Sequence, residues 1–209
     1  MKPAIIPRRS PWRAVLRVAL AVWVVACLVG GAYLLAAHIL TLPAPEITDL
    51  GLQRSAAAQR QPFQRGRWFV VHILDQDCVC SLRVLDHLLA DPRPAGVAER
   101  IVLIADAVRP ERTAAIIARG FDLDIVTADE LAARYHVEAA PLLVVIDPGD
   151  ALRYVGGYTP RKQAADVRDV AVVEALRRGQ PVEPLPTFGC AVGRSLRGKV
   201  DPLGLRNWK

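Results

Sequence analysis

The chain has 209 residues, 52% hydrophobic and 23% charged, with a formal net charge of +6. At about 150 residues per domain, that is one domain plus an additional segment, and the apolar content excludes a disordered or collagen-like chain. The charge does not describe a nucleic-acid face. Residues 1–17 carry +5 and residues 188–209 carry +4, which leaves −3 for residues 46–187, so no nucleic-acid partner is expected. Four cysteines are too few for a disulfide scaffold of this length.

The N-terminus comes first. Residues 1–17 hold Lys2, Arg8, Arg9, Arg13 and Arg17 and no acid, and no charged residue follows until after Pro45. Residues 18–42 are almost wholly apolar and satisfy the roughly 20 residues needed to cross the hydrocarbon core. With every flanking positive charge ahead of the run, the positive-inside rule leaves residues 1–17 in the cytoplasm and places the rest across the membrane. A cleaved signal peptide fits less well, because its apolar core spans about 7–15 residues. Val24-Val25-Ala26-Cys27 resembles a bacterial lipobox, but apolar sequence continues well past Cys27, which reads more simply as an inert helix residue. Residues 43–66, with Pro43, Pro45, Gly51, Pro62 and Gly66, read as a linker in which Ser55–Arg60 adds a helical turn.

From residue 67 strand and helix alternate. Residues 67–74 form a continuous apolar run suited to a strand buried on both faces. A helical pattern with Leu82, Leu85, Leu88 and Leu89 follows, then a second buried strand at 101–105. Pro110 and Glu111 start a helix that Gly120 ends. Residues 124–127 form a short strand, and Thr127 with Glu130 has capping-box spacing for a helix through Tyr135. Residues 141–147 and 151–155 are strands joined by the turn Pro148-Gly149-Asp150, and residues 167–178 form an amphipathic helix closed by Gly179.

A strand running into a cysteine pair that opens a helix, here Asp77-Cys78-Val79-Cys80-Ser81, resembles the redox site of the thioredoxin superfamily. Tyr135-His136-Val137-Glu138-Ala139-Ala140-Pro141, followed by an apolar strand, Asp147 and Tyr154-Val155-Gly156-Gly157, is similar to the second half of that fold. The resemblance covers about residues 67–179. It implies an α/β fold, a thioredoxin-like mixed sheet flanked by helices, with Pro141 as a cis-proline beside the cysteines. A cis X-Pro bond occurs in only about 5–6% of cases, so it follows from the resemblance and not from propensity. The motif departs from the W-C-x-x-C of thioredoxins, with one residue between the thiols, and looks like a membrane-anchored bacterial branch with C-x-C-S.

The spacing matters chemically. Two thiols separated by one residue close a disulfide only with strain, and a strained disulfide is more easily reduced, hence a better oxidant or exchanger. The helix start lowers the Cys78 pKa, whereas Asp75 and Asp77 oppose a thiolate. Following the chain order of thioredoxins, Cys78 attacks and Cys80 resolves, with Ala140 and Pro141 presenting backbone to an extended substrate chain.

Residues 180–209 are a C-terminal extension that a core thioredoxin fold does not need. Cys190 lies there in a Gly-flanked apolar patch, either as a small buried hydrophobe or as a third thiol reaching Cys78 and Cys80. In the second case Cys78, Cys80 and Cys190 also form a thiolate set suited to Cu(I) or another soft metal. His87, two turns after Cys80, and His136, five residues before Pro141, are the nearest histidines in sequence; these, His72 and His38 read first as structural residues. No phosphate loop, nucleotide fingerprint or Ser/His/Asp arrangement occurs, so no cofactor is expected.

The sequence therefore predicts a single-pass protein of the bacterial inner membrane whose C-terminal domain faces the periplasm. It exchanges disulfides with protein thiols through Cys78 and Cys80. The alternatives are soft-metal binding or delivery, and a thioredoxin-like docking domain without catalysis.

Overall fold

The computed structural model describes residues 11–39, 41–162 and 164–201 and divides into two units, Met1–Leu40 and Thr41–Lys209. Of the basic N-terminus, residues 1–10 lie outside the described residues, as do residues 202–209 of the extension. The first unit contains one helix, α1 (Pro11–Ile39), within which Trp12–Leu34 is a 23-residue stretch of mean hydropathy 2.2, long and apolar enough to cross a membrane. The helix ends before the expected limit of the span. Leu42 instead belongs to the second unit, where its N–H donates to the Thr187 carbonyl (2.8 Å) and its side chain packs with Ala139, Ala191 and Leu196.

The second unit begins with a departure from the sequence reading. Residues 43–66 are not a loose tether: they hold α2 (Leu50–Ala58), whose Leu52 and Ala56 are fully buried. Asp49 caps α2, its carboxylate accepting from the N–H groups of Gly51 (2.8 Å) and Leu52 (2.9 Å). The helix is short and rich in Ala, so its sequence shows only a weak apolar stripe. Burial against the sheet, not propensity, holds it.

β1 (Trp68–Asp75) runs into α3 (Val79–Ala90). β2 (Val97–Ile104), α4 (Pro110–Ala118), β3 (Asp122–Val126) and α5 (Ala128–Tyr135) follow. The expected capping box forms, with Thr127 accepting from the Glu130 N–H and Glu130 accepting from the Thr127 N–H. A two-residue strand, β4 (Ala139–Ala140), precedes β5 (Leu142–Ile146), β6 (Leu152–Gly156) and α6 (Asp169–Arg177), which stops at Gly179 in the left-handed region (φ 72°). The tail adds β7 (Cys190–Ala191) and α7 (Arg194–Val200).

The main sheet has the order β3-β2-β1-β5-β6. The β1–β2 and β2–β3 pairs are parallel, and the β1–β5 and β5–β6 pairs antiparallel. Alternation along β1 explains its unbroken apolar run. Phe69, Val71 and Ile73 pack with Leu52, Leu131 and Tyr135 from α2 and α5 on one face, and Val70 and Leu74 pack with Leu85, Leu88, Ile116 and Val173 from α3, α4 and α6 on the other. This is a thioredoxin-like fold, with the cysteine pair at the carboxyl end of central strand β1.

The second face also holds a buried polar chain. His72, on β1, has Nε2 3.1 Å from Glu99 and Nδ1 3.0 Å from the Tyr158 hydroxyl. Arg93 donates to Glu99 (2.5 and 3.1 Å) and to Asp169 (2.6 Å), and Asp169 also meets His87 Nε2 (2.9 Å). Glu99 and Arg100 hid the start of β2, because charged residues in a core strand look like loop until their partners are known. Burial pushes the Glu99 and Asp169 carboxyls up, but the hydrogen bonds and charges of His72, Arg93 and His87 outweigh it and hold both below their ordinary values.

Candidate functional site: three thiols beside a cis-proline

Cys78 ends the β1–α3 turn as the N-cap of α3, with extended backbone (φ −87°, ψ 120°). The turn is fixed locally: the Asp75 carboxylate accepts from the Asp77 N–H (2.9 Å), Ser81 Oγ accepts from the Asp75 N–H (3.0 Å), and Asp77 pairs with Arg109. The Ala140–Pro141 peptide is cis, as the resemblance implies, and the Cys78 sulfur lies 3.9 Å from the Ala140 carbonyl oxygen. Cys78 is 2% exposed, while Cys80 and Cys190 are half-buried; all three are free thiols.

The tail brings Cys190 to this place. β7 pairs antiparallel with β4, Ala140 opposite Cys190 and Ala139 opposite Ala191. The N–H groups of Val192 (2.7 Å) and Gly193 (3.1 Å) donate to the Glu138 carbonyl, and that of Gly157 donates to Leu185 (2.8 Å). Gly189 lies flat on the proline: a Cβ there would stand 1.9 Å from the Ala140 oxygen and 2.6 Å from Pro141 Cδ. Ala140 therefore does not offer a free edge to a partner chain, as the sequence suggested. The chain's own tail is paired there. Beside it a small cleft of about 40 Å³ is lined by Cys80, Arg83, Pro141, Tyr158 and Phe188.

The electrostatics favour one thiolate. Hydrogen bonds from the Cys190 and Cys80 thiols pull the Cys78 pKa down. Burial opposes them, and the Ser81 and Cys80 N–H groups of the first helical turn add to them. Cys80 and Cys190 are pushed up, each first because its proton is held by Cys78 and then by burial. Burial also raises the Asp75 carboxyl; the hydrogen bond from the Asp77 N–H and, more weakly, Arg197 of α7 oppose it, and the charges of Cys78 and Asp77 add to it. The arrangement is a nucleophilic thiolate with two proton-bearing thiols against it.

His72, His87 and His136 do not join the thiols, and the His38 side chain lies outside the described residues. His72 and His87 belong to the buried polar chain, with His87 also 2.6 Å from Asp91, and His136 caps α5 beside Asp49. Among the described residues no group of three or more His, Cys, Asp or Glu is arranged to hold a metal ion. Cys27 lies within α1. Sequence reasoning placed Asp75 against a Cys78 thiolate but missed the Asp75–Ser81 hydrogen bond that fixes the turn, and it missed Arg197.

No family model matches this chain, and no curated protein is similar to it. Several solved structures are, three of them as follows. A hypothetical protein of Sinorhizobium meliloti 1021, SMc02350, is 21% identical over 62% of this chain and 81% of its own, with a TM-score of 0.51. An uncharacterized conserved protein from Geobacillus kaustophilus is 19% identical over 75% of this chain and 91% of its own (TM-score 0.49). SPOA0173, a thioredoxin-like superfamily protein, is 15% identical over 70% of this chain and 99% of its own (TM-score 0.40). At 21% identity the likeness to the Sinorhizobium meliloti protein concerns the fold alone, and the chemistry rests on the residues.

Proposed function

We propose that this protein is a membrane-anchored thiol–disulfide oxidoreductase whose domain faces the periplasm. The observation that carries the reading is the Cys78 sulfur at a helix start, 3.9 Å from the Ala140 carbonyl oxygen of the cis Ala140–Pro141 peptide, with Cys80 on the first turn of the same helix and Cys190 paired opposite Ala140. The Cys78 thiolate attacks one sulfur of a substrate disulfide and expels the other as a thiolate. A second site thiol, Cys80 by chain order, then attacks the Cys78 sulfur and releases the first substrate sulfur. Two thiols become a disulfide and the substrate disulfide becomes two thiols, so electrons and protons balance. Helix α1 supplies the anchor, and the basic residues before it support a cytoplasmic N-terminus.

The test is reduction of a model protein disulfide by the detergent-solubilised full chain, with dithiothreitol as electron source. Turnover above the dithiothreitol background that disappears in Cys78→Ser supports the proposal. Equal turnover in wild type and Cys78→Ser removes it.

A further inference from the structure

The nucleophile of this site is covered. An exchanging thiolate must reach an external sulfur, yet Cys78 is 2% exposed, and the chain's own tail is paired with Ala140, whose carbonyl oxygen lies 3.9 Å from the Cys78 sulfur. That tail lies along β4 in the antiparallel register an extended partner would take, Cys190 opposite Ala140. Its seat is specific. Gly189 has no room for a side chain over the Ala140–Pro141 peptide, and Gly157 has none under the Pro186 carbonyl, 2.0 Å from an added Cβ. Ala191 at the end of the strand and Val192 and Leu196 beyond it are buried, and Arg197 Nε donates to the Ala191 carbonyl (2.9 Å). A segment docked this closely is part of the fold and not a passing strand.

We propose that residues 186–191 are a built-in substrate strand and that Cys190, not Cys80, is the thiol with which Cys78 pairs when the protein is oxidised. The inference rests on the exchange reading and changes the identity of the resolving thiol. Two observations favour Cys190. A Cys78–Cys80 bridge spans one residue at a helix start, where disulfide geometry is hard to meet. Cys190 arrives on a separate strand, free of that constraint, and is paired opposite Ala140, whose carbonyl oxygen lies 3.9 Å from the Cys78 sulfur. The step is ordinary exchange. The Cys78 thiolate attacks the oxidant disulfide and one oxidant thiolate leaves. Cys190 then attacks the Cys78 sulfur, its proton passes to solvent, and the second oxidant thiolate leaves. An extended substrate chain reaches Ala140 only by displacing residues 186–191, so the tail also excludes partners that cannot compete with it.

The experiment uses the full chain in detergent, reduced and then oxidised with excess glutathione disulfide. Free thiols are blocked, the protein is digested with trypsin, and cross-linked peptides are mapped. Cys78 and Cys80 fall in one tryptic peptide and Cys190 in another, so fragmentation reads which sulfur is linked. The expected result is a Cys78–Cys190 link with Cys80 alkylated, kept in Cys80→Ser. In Cys190→Ser the glutathione adduct on Cys78 should accumulate at least about tenfold over wild type, because attack by Cys80 is slow. A Cys78–Cys80 link alone, a Cys80–Cys190 link, or undiminished intramolecular closure in Cys190→Ser overturns the inference. The first of these leaves the exchange reading standing. Wild-type Cys78 that never forms a disulfide with glutathione or protein overturns both.

Discussion

Gly189→Ala is the sharpest single perturbation of this site. The added Cβ would sit 1.9 Å from the Ala140 oxygen, and ordinary contact begins at 3.4 Å, so the two backbones must separate by about 1.5 Å. The obstacle is a carbonyl and a proline ring, which no rotamer change relieves. A shift of that size breaks the hydrogen bonds from Val192 (2.7 Å) and Gly193 (3.1 Å) to Glu138. At about 1 kcal/mol each, that is about 2 kcal/mol of tail docking. The loss of unfolded-chain entropy on replacing glycine returns about 0.4–1 kcal/mol, so global stability falls by about 1–1.5 kcal/mol. Access to Cys78 depends on the docking free energy alone, and about 2 kcal/mol corresponds to more than tenfold. The assay pairs a urea unfolding curve with pulsed iodoacetamide labelling of reduced protein, resolved at Cys78 by mass spectrometry. Gly198→Ala is the control, because nothing lies within 4 Å of a Cβ there. Cys78 labelling in Gly189→Ala no faster than in the control, with an unchanged urea midpoint, would refute the reasoning.

Other consequences follow from the charges. The Cys78 thiolate is held below the ordinary thiol range by its two thiol donors, so ultraviolet thiolate absorbance of reduced protein should stay constant from about pH 8 to about pH 5 and be missing in Cys78→Ser; an absorbance that titrates near pH 8.5 contradicts the assignment. Asp169→Ala leaves buried Arg93 with Glu99 alone and should lower stability by about 2–3 kcal/mol in urea unfolding, less than the full loss of a buried pair because Glu99 remains. Asp169 and Glu99 have depressed pKa values, so their contribution is complete above the unfolded carboxylate range and is lost as pH falls through the folded values. Wild type should accordingly lose stability below about pH 4 more steeply than Asp169→Ala. Asp75 has a raised pKa, so its ionisation opposes folding above the ordinary carboxylate range. Asp75→Asn, which keeps the acceptor for the Asp77 N–H, should raise the urea midpoint near pH 7 and leave it unchanged near pH 3; equal midpoints at both would show that Asp75 is not strained.

Much of this was legible in the residues, and the reasons differ by element. The apolar run of β1, the Thr127–Glu130 box and the Gly179 stop each carry a local cause, and each element formed within a residue or two of its expected place. Helix α2 was hidden because a nine-residue Ala-rich segment has little stripe of its own and is held by tertiary burial. The start of β2 was hidden because Glu99 and Arg100 are satisfied by residues far along the chain, Glu99 by Arg93 and His72 and Arg100 by Gln59 and Asp122. The thiol pair and Pro141 stood out by motif. The approach of Cys190 was open in sequence as one of two readings, and only the pairing of β7 with β4 brings it to Cys78. The same pairing removed the free edge expected at Ala140, which no spacing rule could foresee.

Thiol–disulfide exchange at Cys78 is tested most directly by equilibrium. The purified full chain is held in graded glutathione buffers, quenched by alkylation, and its modified cysteines counted by intact mass. The expected result is a reversible two-thiol transition, absent in Cys78→Ser. Thiols that never pair in any buffer, or a transition that persists without Cys78, would contradict it.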